Sequence, residues 1–362
     1  MSATDAAHTP EVAVVTGGGG FVGRHLVRQL IDRGDTVRTI GRRRYDGLPD
    51  EVEQHQLDLT ADDLAEQLRP VLRDASVVYH TAGKVGAGVD DAAYKRANVH
   101  PIVPLLEACR DEGVTRLVYT STPSVVFGRT GHTSADESLP YADPREQPPY
   151  ARTKAVAEAA VLAASGVEDH AGRSVLTTAI RPHLVFGPGD GSLMPRIVDR
   201  ARAGRLRLVG PGDSPISVAY VGNVAAAHLQ AADELAGQAR NAGRAYFINE
   251  DPPPDGPLTT RRWIDTLLAM AGEPPVTRSI PPAAAIAVGA MLERWYRFRG
   301  RTDEPIMTPF IARSLSQPHS YRTDAARRDF GYSPVVDWDE ALARTQSWAA
   351  ERFGGEEATG SS

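Results

Sequence analysis

From residue 11 the chain alternates short runs of apolar, β-branched residues with longer stretches whose apolar residues recur every three or four positions. The first pattern is that of a buried strand and the second that of a helix lying on a sheet. Glu11 to Thr16 reads as strand, Phe21 to Arg33 as helix, Thr36 to Ile40 as strand, Leu64 to Leu72 as helix and Ser76 to His80 as strand. Tyr94 to Asp111 follows as one helix, Arg116 to Thr120 as strand, Tyr150 to Ala164 as helix and Ser174 to Arg181 as strand. Repeated strand–helix–strand order demands parallel strands with helices on both faces, so the expected fold is α/β, a doubly wound parallel sheet.

Past residue 187, Gly187-Pro188-Gly189, Gly210-Pro211-Gly212 and Pro252-Pro253-Pro254 interrupt the pattern with turns. Helical periodicity resumes over Leu193 to Ala203, Val221 to Leu235, Thr260 to Ala271, Pro282 to Phe298 and near Asp339 to Ala350, while Tyr246 to Asn249 reads as a strand returning to the sheet. The expected division is a sheet domain over residues 11–190, completed by about 221–250. A smaller, interleaved mixed α/β region over about 191–220 and 251–350 would cover the substrate, with flexible tails at 1–10 and 354–362.

Composition narrows the class. The 362 residues carry a net charge of −6, against a nucleic-acid surface. The single Cys109, in an apolar helical stretch, points to a reducing compartment, and the N-terminus lacks a basic flank and apolar run. No stretch is long and apolar enough to span a bilayer, so a cytoplasmic protein is expected. No metal-ligand cluster suggests itself. Of the 40 basic residues only Lys84, Lys95 and Lys154 are lysine.

Between the first strand and first helix stands Thr16-Gly17-Gly18-Gly19-Gly20-Phe21-Val22-Gly23. A tight turn there needs glycine, a pyrophosphate must reach main-chain N–H groups unobstructed, and the helix N-terminus favours its charge. A dinucleotide is the expected ligand. About 20 residues on, where an acid would accept from the ribose 2′-OH of NAD, the segment Thr36 to Tyr45 has no acid but carries Arg42 and Arg43, suited to a 2′-phosphate. NADP(H) is favoured and NAD(H) is the alternative.

Tyr150 and Lys154 lie one turn apart at a helix start and share a face. Hydride addition to a ketone leaves an alkoxide needing a proton, which a tyrosine of ordinary pKa about 10 yields poorly at neutral pH and a neighbouring ammonium helps release. With 11 Tyr and three Lys in 362 residues, chance supplies about 0.1 Tyr-x-x-x-Lys pairs. Upstream, Tyr119 to Ser124 ends a strand and offers hydroxyls to the same crevice.

On these residues the chain resembles an extended short-chain dehydrogenase/reductase, in the branch of 3β-hydroxysteroid dehydrogenases and sterol-4-carboxylate 3-dehydrogenases, over residues 11 to about 348. The matching stretches are Thr16 to Gly23, Ala97-Asn98-Val99, Tyr119 to Ser124, Pro149 to Lys154 with Ala157-Glu158, and Arg181-Pro182 with Gly187 to Asp190. Within the branch it is most similar to bacterial reductases of 2-alkyl-3-oxoalkanoic acids in long-chain olefin biosynthesis, through Tyr119 to Val125, Arg200 to Arg207 and Ala326 to Tyr332. The resemblance implies a catalytic set of Thr122, Tyr150 and Lys154, with Ser121 or Ser124 in reserve because the family often has Ser there. It implies cofactor contacts at Gly17, Gly20, Phe21, Val22, Gly23, Asp58, Leu59, Thr81, Ala82, Asn98, Thr120, Tyr150, Lys154, Pro182 and Leu184. His80-Thr81-Ala82-Gly83 departs from the commoner Ala-Ala.

The implied activity is NADPH-dependent reduction of the 3-keto group of a long-chain 2-alkyl-3-oxoalkanoic acid. The alternatives are a 3β-hydroxysteroid or sterol-4-carboxylate 3-dehydrogenase, a nucleotide-sugar epimerase or dehydratase, and a non-catalytic dinucleotide sensor. The partner is then a small hydrophobic keto acid or a sterol-like molecule, with Arg152 and His183 as candidates for a substrate carboxylate. The apolar Pro282 to Phe298, ending in aromatics and arginines, reads equally as a tunnel wall, a peripheral membrane contact, or a core or dimer helix. A homodimer or a multienzyme assembly stays open.

Overall fold

The computed structural model describes residues 8–354 except Pro254; most of both expected tails lies outside that range. The first half runs β1 (Val12–Thr16), α1 (Phe21–Asp32), β2 (Thr36–Gly41), β3 (Glu53–Gln56), α2 (Leu64–Leu72), β4 (Val77–His80), α3 (Asp91–Asn98), α4 (Ile102–Asp111), β5 (Arg116–Thr120), β6 (His132–Ala135), α5 (Pro149–Ala163) and β7 (Leu176–Pro182). Then follow β8 (Val185–Phe186), α6 (Leu193–Arg202), β9 (Leu208–Val209), β10 (Ala219–Tyr220), α7 (Val221–Ala236) and β11 (Ala245–Ile248). The chain closes with α8 (Thr260–Met270), β12 (Ser279–Ile280), α9 (Pro282–Phe298), α10 (Pro309–Ser316), β13 (His319–Tyr321), α11 (Asp324–Phe330) and α12 (Trp338–Phe353).

Seven strands form one parallel sheet in the order β11-β7-β5-β4-β1-β2-β3. Alternate residues of each central strand serve opposite cores. Ala13, Val15, Val77 and Val118 pack with Leu26 and Leu30 of α1 and Val224 and Ala231 of α7. Val14, Val78 and Leu117 pack with Leu68 and Leu72 of α2, Leu105 of α4 and Val161 of α5. The strand order reverses between β1 and β4, which opens a crevice at their C-terminal ends.

One helix expected over Tyr94 to Asp111 is two. α3 ends at Asn98 and α4 begins at Ile102, with Pro101 between them. A proline has no N–H for the helix ladder and pushes the preceding residue, His100, away from helical angles, although apolar periodicity runs through both halves. Short parallel pairs missing from the periodicity, β6 with β13, β8 with β10 and β9 with β12, form separate two-stranded sheets, the first of which ties β13 to the segment between β5 and α5. A third core of Phe186, Trp263 and Trp338 lies under α8 and α12.

Candidate functional site

The C-terminal ends of β1, β2, β4, β5 and β7 converge on one crevice. At β1, Gly17 takes φ +72°, its N–H donates to the Ile40 carbonyl at 2.8 Å, and its carbonyl accepts from Gly20 N at 2.8 Å. A Cβ at Gly17 would lie 2.9 Å from the Ala82 backbone, and one at Gly23 would lie 2.2 Å from the Gly17 carbonyl oxygen. Thr81 and Ala82 floor the turn: the Thr81 hydroxyl donates to the Thr16 carbonyl at 2.8 Å, and Ala82 N to the Thr16 hydroxyl at 3.3 Å. No side chain caps α1 and no acid sits in its first turn, so the N–H groups around Phe21 and Val22 face the crevice uncapped. That cradle fits a pyrophosphate.

After β2, Arg42 and Arg43 are exposed. Tyr45, which the sequence did not single out, lies flat on the loop: a Cβ on Gly19 would come within 2.0 Å of its ring, and one on Gly41 within 2.7 Å. Gln54 holds it, accepting from Tyr45 N at 2.8 Å and donating to its carbonyl at 3.2 Å, and the Arg43 guanidinium stands 5.3 Å from the ring centre. Asp58 accepts from Thr60 N and its hydroxyl, both at 2.9 Å, which keeps its carboxyl below the usual range with help from Arg42. Leu59 packs against the core beside it.

Pro149 starts α5, where its missing N–H costs nothing, and puts Tyr150 in the first turn. Burial pushes the Tyr150 hydroxyl up to about 12, opposed by a hydrogen bond from the Thr122 side chain. Thr122 also caps the following turn, accepting from Ser124 N at 3.2 Å. Lys154 shares the face but not the contact expected of it. Its Nζ donates to the Thr120 carbonyl and stands 4.0 Å from the centre of the Tyr119 ring. Burial draws its pKa down to about 7, and Glu158 acts in the other direction. The expected lowering of the Tyr150 pKa by Lys154 is therefore absent from this geometry, because a buried ammonium takes the acceptor it can reach.

The remaining candidates divide. Thr120 offers the crevice its carbonyl, while its hydroxyl donates to His228 Nε2 at 2.7 Å on the α7 side. Asn98 ties the loop after β4 to α5, accepting from Lys84 N at 2.7 Å and donating to the Thr153 hydroxyl at 3.1 Å. Ser121 Oγ is buried without a hydrogen-bond partner among the described residues. Pro182 ends β7, and Leu184, two residues on, adopts φ +41°, a left-handed conformation costly for a γ-branched side chain.

Arg152 is already engaged by Asp91 and by the Pro144 and Gln147 carbonyls. His183 meets His319 of β13 at 2.6 Å. His319 Nε2 must donate to the Ser314 carbonyl, which assigns His319 Nδ1 as acceptor and His183 Nε2 as donor. Burial holds both imidazoles neutral, His319 at about 4. Sequence gave no sign of His319, 136 residues away. Lys84 lies 5.3 Å from the Tyr94 ring centre, which stands edge-on to Tyr150 at 6.4 Å, and Lys95 pairs with Asp91. Beneath the site, Glu158 binds Arg181 and accepts from the Tyr141 hydroxyl at 2.8 Å. No metal-binding group occurs among the described residues.

Comparison with known proteins places this geometry in context. Residues 14–260 match the model of the 3-beta hydroxysteroid dehydrogenase/isomerase family. The chain is 41% identical over 342 residues to a 2-alkyl-3-oxoalkanoate reductase of Stenotrophomonas maltophilia, covering 93% of this chain and 99% of that one. It is 39% identical over 339 residues to the protein of that name from Shewanella oneidensis, covering 92% and 85%. Its fold is similar to that of a dTDP-glucose 4,6-dehydratase from Streptomyces venezuelae solved with NAD bound, at TM-score 0.70 and 24% identity over 96% and 99% of the two chains.

Proposed function

Because the chain belongs to the 3-beta hydroxysteroid dehydrogenase/isomerase family, whose members make it an NAD(P)-dependent oxidoreductase, we propose that it uses NADPH to reduce the 3-keto group of a long-chain 2-alkyl-3-oxoalkanoic acid to the 3-hydroxy acid. The observation that carries the reading is the buried Tyr150 hydroxyl beside the Thr122 side chain, with Lys154 one turn on along α5. Relatives near 40% identity that bear a 2-alkyl-3-oxoalkanoate reductase name support the substrate.

The cofactor supplies the hydride. Thr122 and Tyr150 hold the ketone oxygen, and the Tyr150 O–H gives its proton to that oxygen as it becomes an alkoxide. Lys154 would bind ribose hydroxyls. Gly17, Gly20, Phe21, Val22 and Gly23 cradle the pyrophosphate, and Arg42 and Arg43 face the 2′-phosphate. Asp58 and Leu59 would border the adenine, Thr81 and Ala82 would support the loop at the pyrophosphate, and Pro182 and Leu184 would flank the nicotinamide. Residues 11–190 with about 221–250 form the dinucleotide unit, and about 191–220 and 251–350 cover the substrate. The cytoplasm, where Cys109 stays a thiol, is the setting.

The test is NADPH oxidation with a 2-alkyl-3-oxoalkanoic acid beside a 3-ketosteroid, repeated with NADH. The reading expects kcat/KM at least about tenfold higher for the keto acid with NADPH. A preference for steroid with NAD(H) replaces it with the hydroxysteroid reading.

A further inference from the structure

α9 carries its large apolar residues on the solvent side. Ala285, Gly289 and Tyr296 are buried, whereas Val288, Met291, Trp295 and Phe298 are exposed, Met291 by 63% and Phe298 by 84%. With Ala284 they recur at alternating steps of four and three, which lines them up along one face of a helix. The helix cannot roll to hide them. A Cβ on Gly289 would lie 2.6 Å from the Thr308 carbonyl carbon, so α9 is seated against the start of α10 by the one residue that fits there.

The rim of the stripe is basic. By helical geometry Arg294 and Arg299 flank it on either side; the guanidinium groups of Arg299 and Arg301 stand 5.6 and 5.5 Å from the Trp295 ring centre, and Arg301 is neutralised by Asp303, which accepts from its Nε at 2.7 Å. Glu293, the sole acid of α9, is on the far side and pairs with Arg297. The surface also continues toward the crevice. Exposed Ile306 follows Glu304, whose carboxylate lies against Gly86; exposed Val85 adjoins Lys84, which faces Tyr94 and through it Tyr150.

We propose that this face docks on a lipid bilayer bearing anionic headgroups, with α9 in the plane of the interface, Met291, Trp295 and Phe298 among the acyl chains and Arg294 and Arg299 on lipid phosphates. Charge selects this occupant over a second copy. Parallel pairing of two α9 helices sets like arginines together, and antiparallel pairing sets them against Ala283 and Val288; neither supplies a carboxylate. No described helix is long and apolar enough to cross a membrane, so the contact is peripheral. The Glu304 contact with Gly86 joins the segment after α9 to the loop after β4, which carries Lys84. The proposal does not depend on the substrate reading, since binding is measured without turnover.

The experiment is co-sedimentation of the full chain with vesicles of phosphatidylcholine alone and of phosphatidylcholine with phosphatidylglycerol, followed by size-exclusion light scattering without lipid. The expected result is partitioning at least about tenfold stronger with phosphatidylglycerol and weakened by salt. Met291→Glu with Phe298→Glu should cut it about tenfold with an unchanged melting temperature. Vesicle binding that is absent, or unaltered in the double variant, overturns the proposal. So does a lipid-free dimer that the double variant converts to monomer, which would make the stripe a self-association face.

Discussion

Lys154 directs its ammonium to the Tyr119 ring, 4.0 Å from the ring centre, and it is Thr122 that reaches the Tyr150 hydroxyl. Burial keeps that hydroxyl protonated well past neutral pH. On the proposed reading, a group that donates a proton is then loaded at the start of each reduction.

Tyr150→Phe removes the donor and little else. Turnover should fall by about two to four orders of magnitude, the usual worth of a positioned acid. NADPH affinity, read by titration of protein fluorescence, should stay within about twofold. Near-normal turnover in this variant would remove Tyr150 from the reaction.

The lowered pKa of Lys154 makes stability depend on pH. The folded protein releases this proton near 7, whereas the unfolded chain holds it until about 10.5. Between those values the unfolded state binds more protons, so this residue makes stability rise with pH. Urea titrations of wild type and Lys154→Met across that window should show the steeper rise in the wild type. Parallel curves would mean that Lys154 titrates normally.

Glu158 and Arg181 form a buried pair, with Glu158 side-chain exposure of 0%. Replacing the carboxylate by Glu158→Ala strands the guanidinium, one of whose nitrogens already lacks a partner. The expected cost is about 3–5 kcal/mol in urea denaturation. Because Glu158 also supports the charge on Lys154, the milder Glu158→Gln should shift the pH profile of turnover to lower pH.

Arg42→Ala and Arg43→Ala should each lower kcat/KM for NADPH by about tenfold, the worth of a charge-assisted bond to phosphate at an exposed site. The value for NADH should hold. Equal losses with both cofactors would show that these side chains position the loop rather than read the phosphate.

Six strands of the sheet were legible because the central ones are buried on both faces and carry apolar runs, as in Val77–His80 and Arg116–Thr120; the seventh, β3 at the edge, is Glu53–Gln56 with no apolar and no buried residue, and periodicity missed it. The glycine loop and the Tyr150 and Lys154 pair were legible because each is local, held within eight residues of chain. Periodicity misled at Pro101, where Tyr94, Asn98, Ile102 and Leu105 keep one inward phase across a break that only the proline's chemistry reveals. The pairing of His132 with His319, the His183 contact and the seat of Tyr45 were invisible because they join distant or loop residues with no repeating pattern. The exposure of α9 was undecidable from its letters, since the seat that turns its stripe outward is made by Thr308.

The ring of Tyr45 lying over Gly41 ties two properties usually treated as separate. An acid introduced at position 41 to welcome a ribose hydroxyl would have to evict the aromatic first, and a change at Tyr45 alone would open a space with nothing to fill it. On the proposed reading, a preference for one dinucleotide would be stored jointly in the two positions. Gly41→Asp and Tyr45→Ala should each leave a poorer enzyme, and a path from one cofactor to the other must cross that low ground or take both steps together.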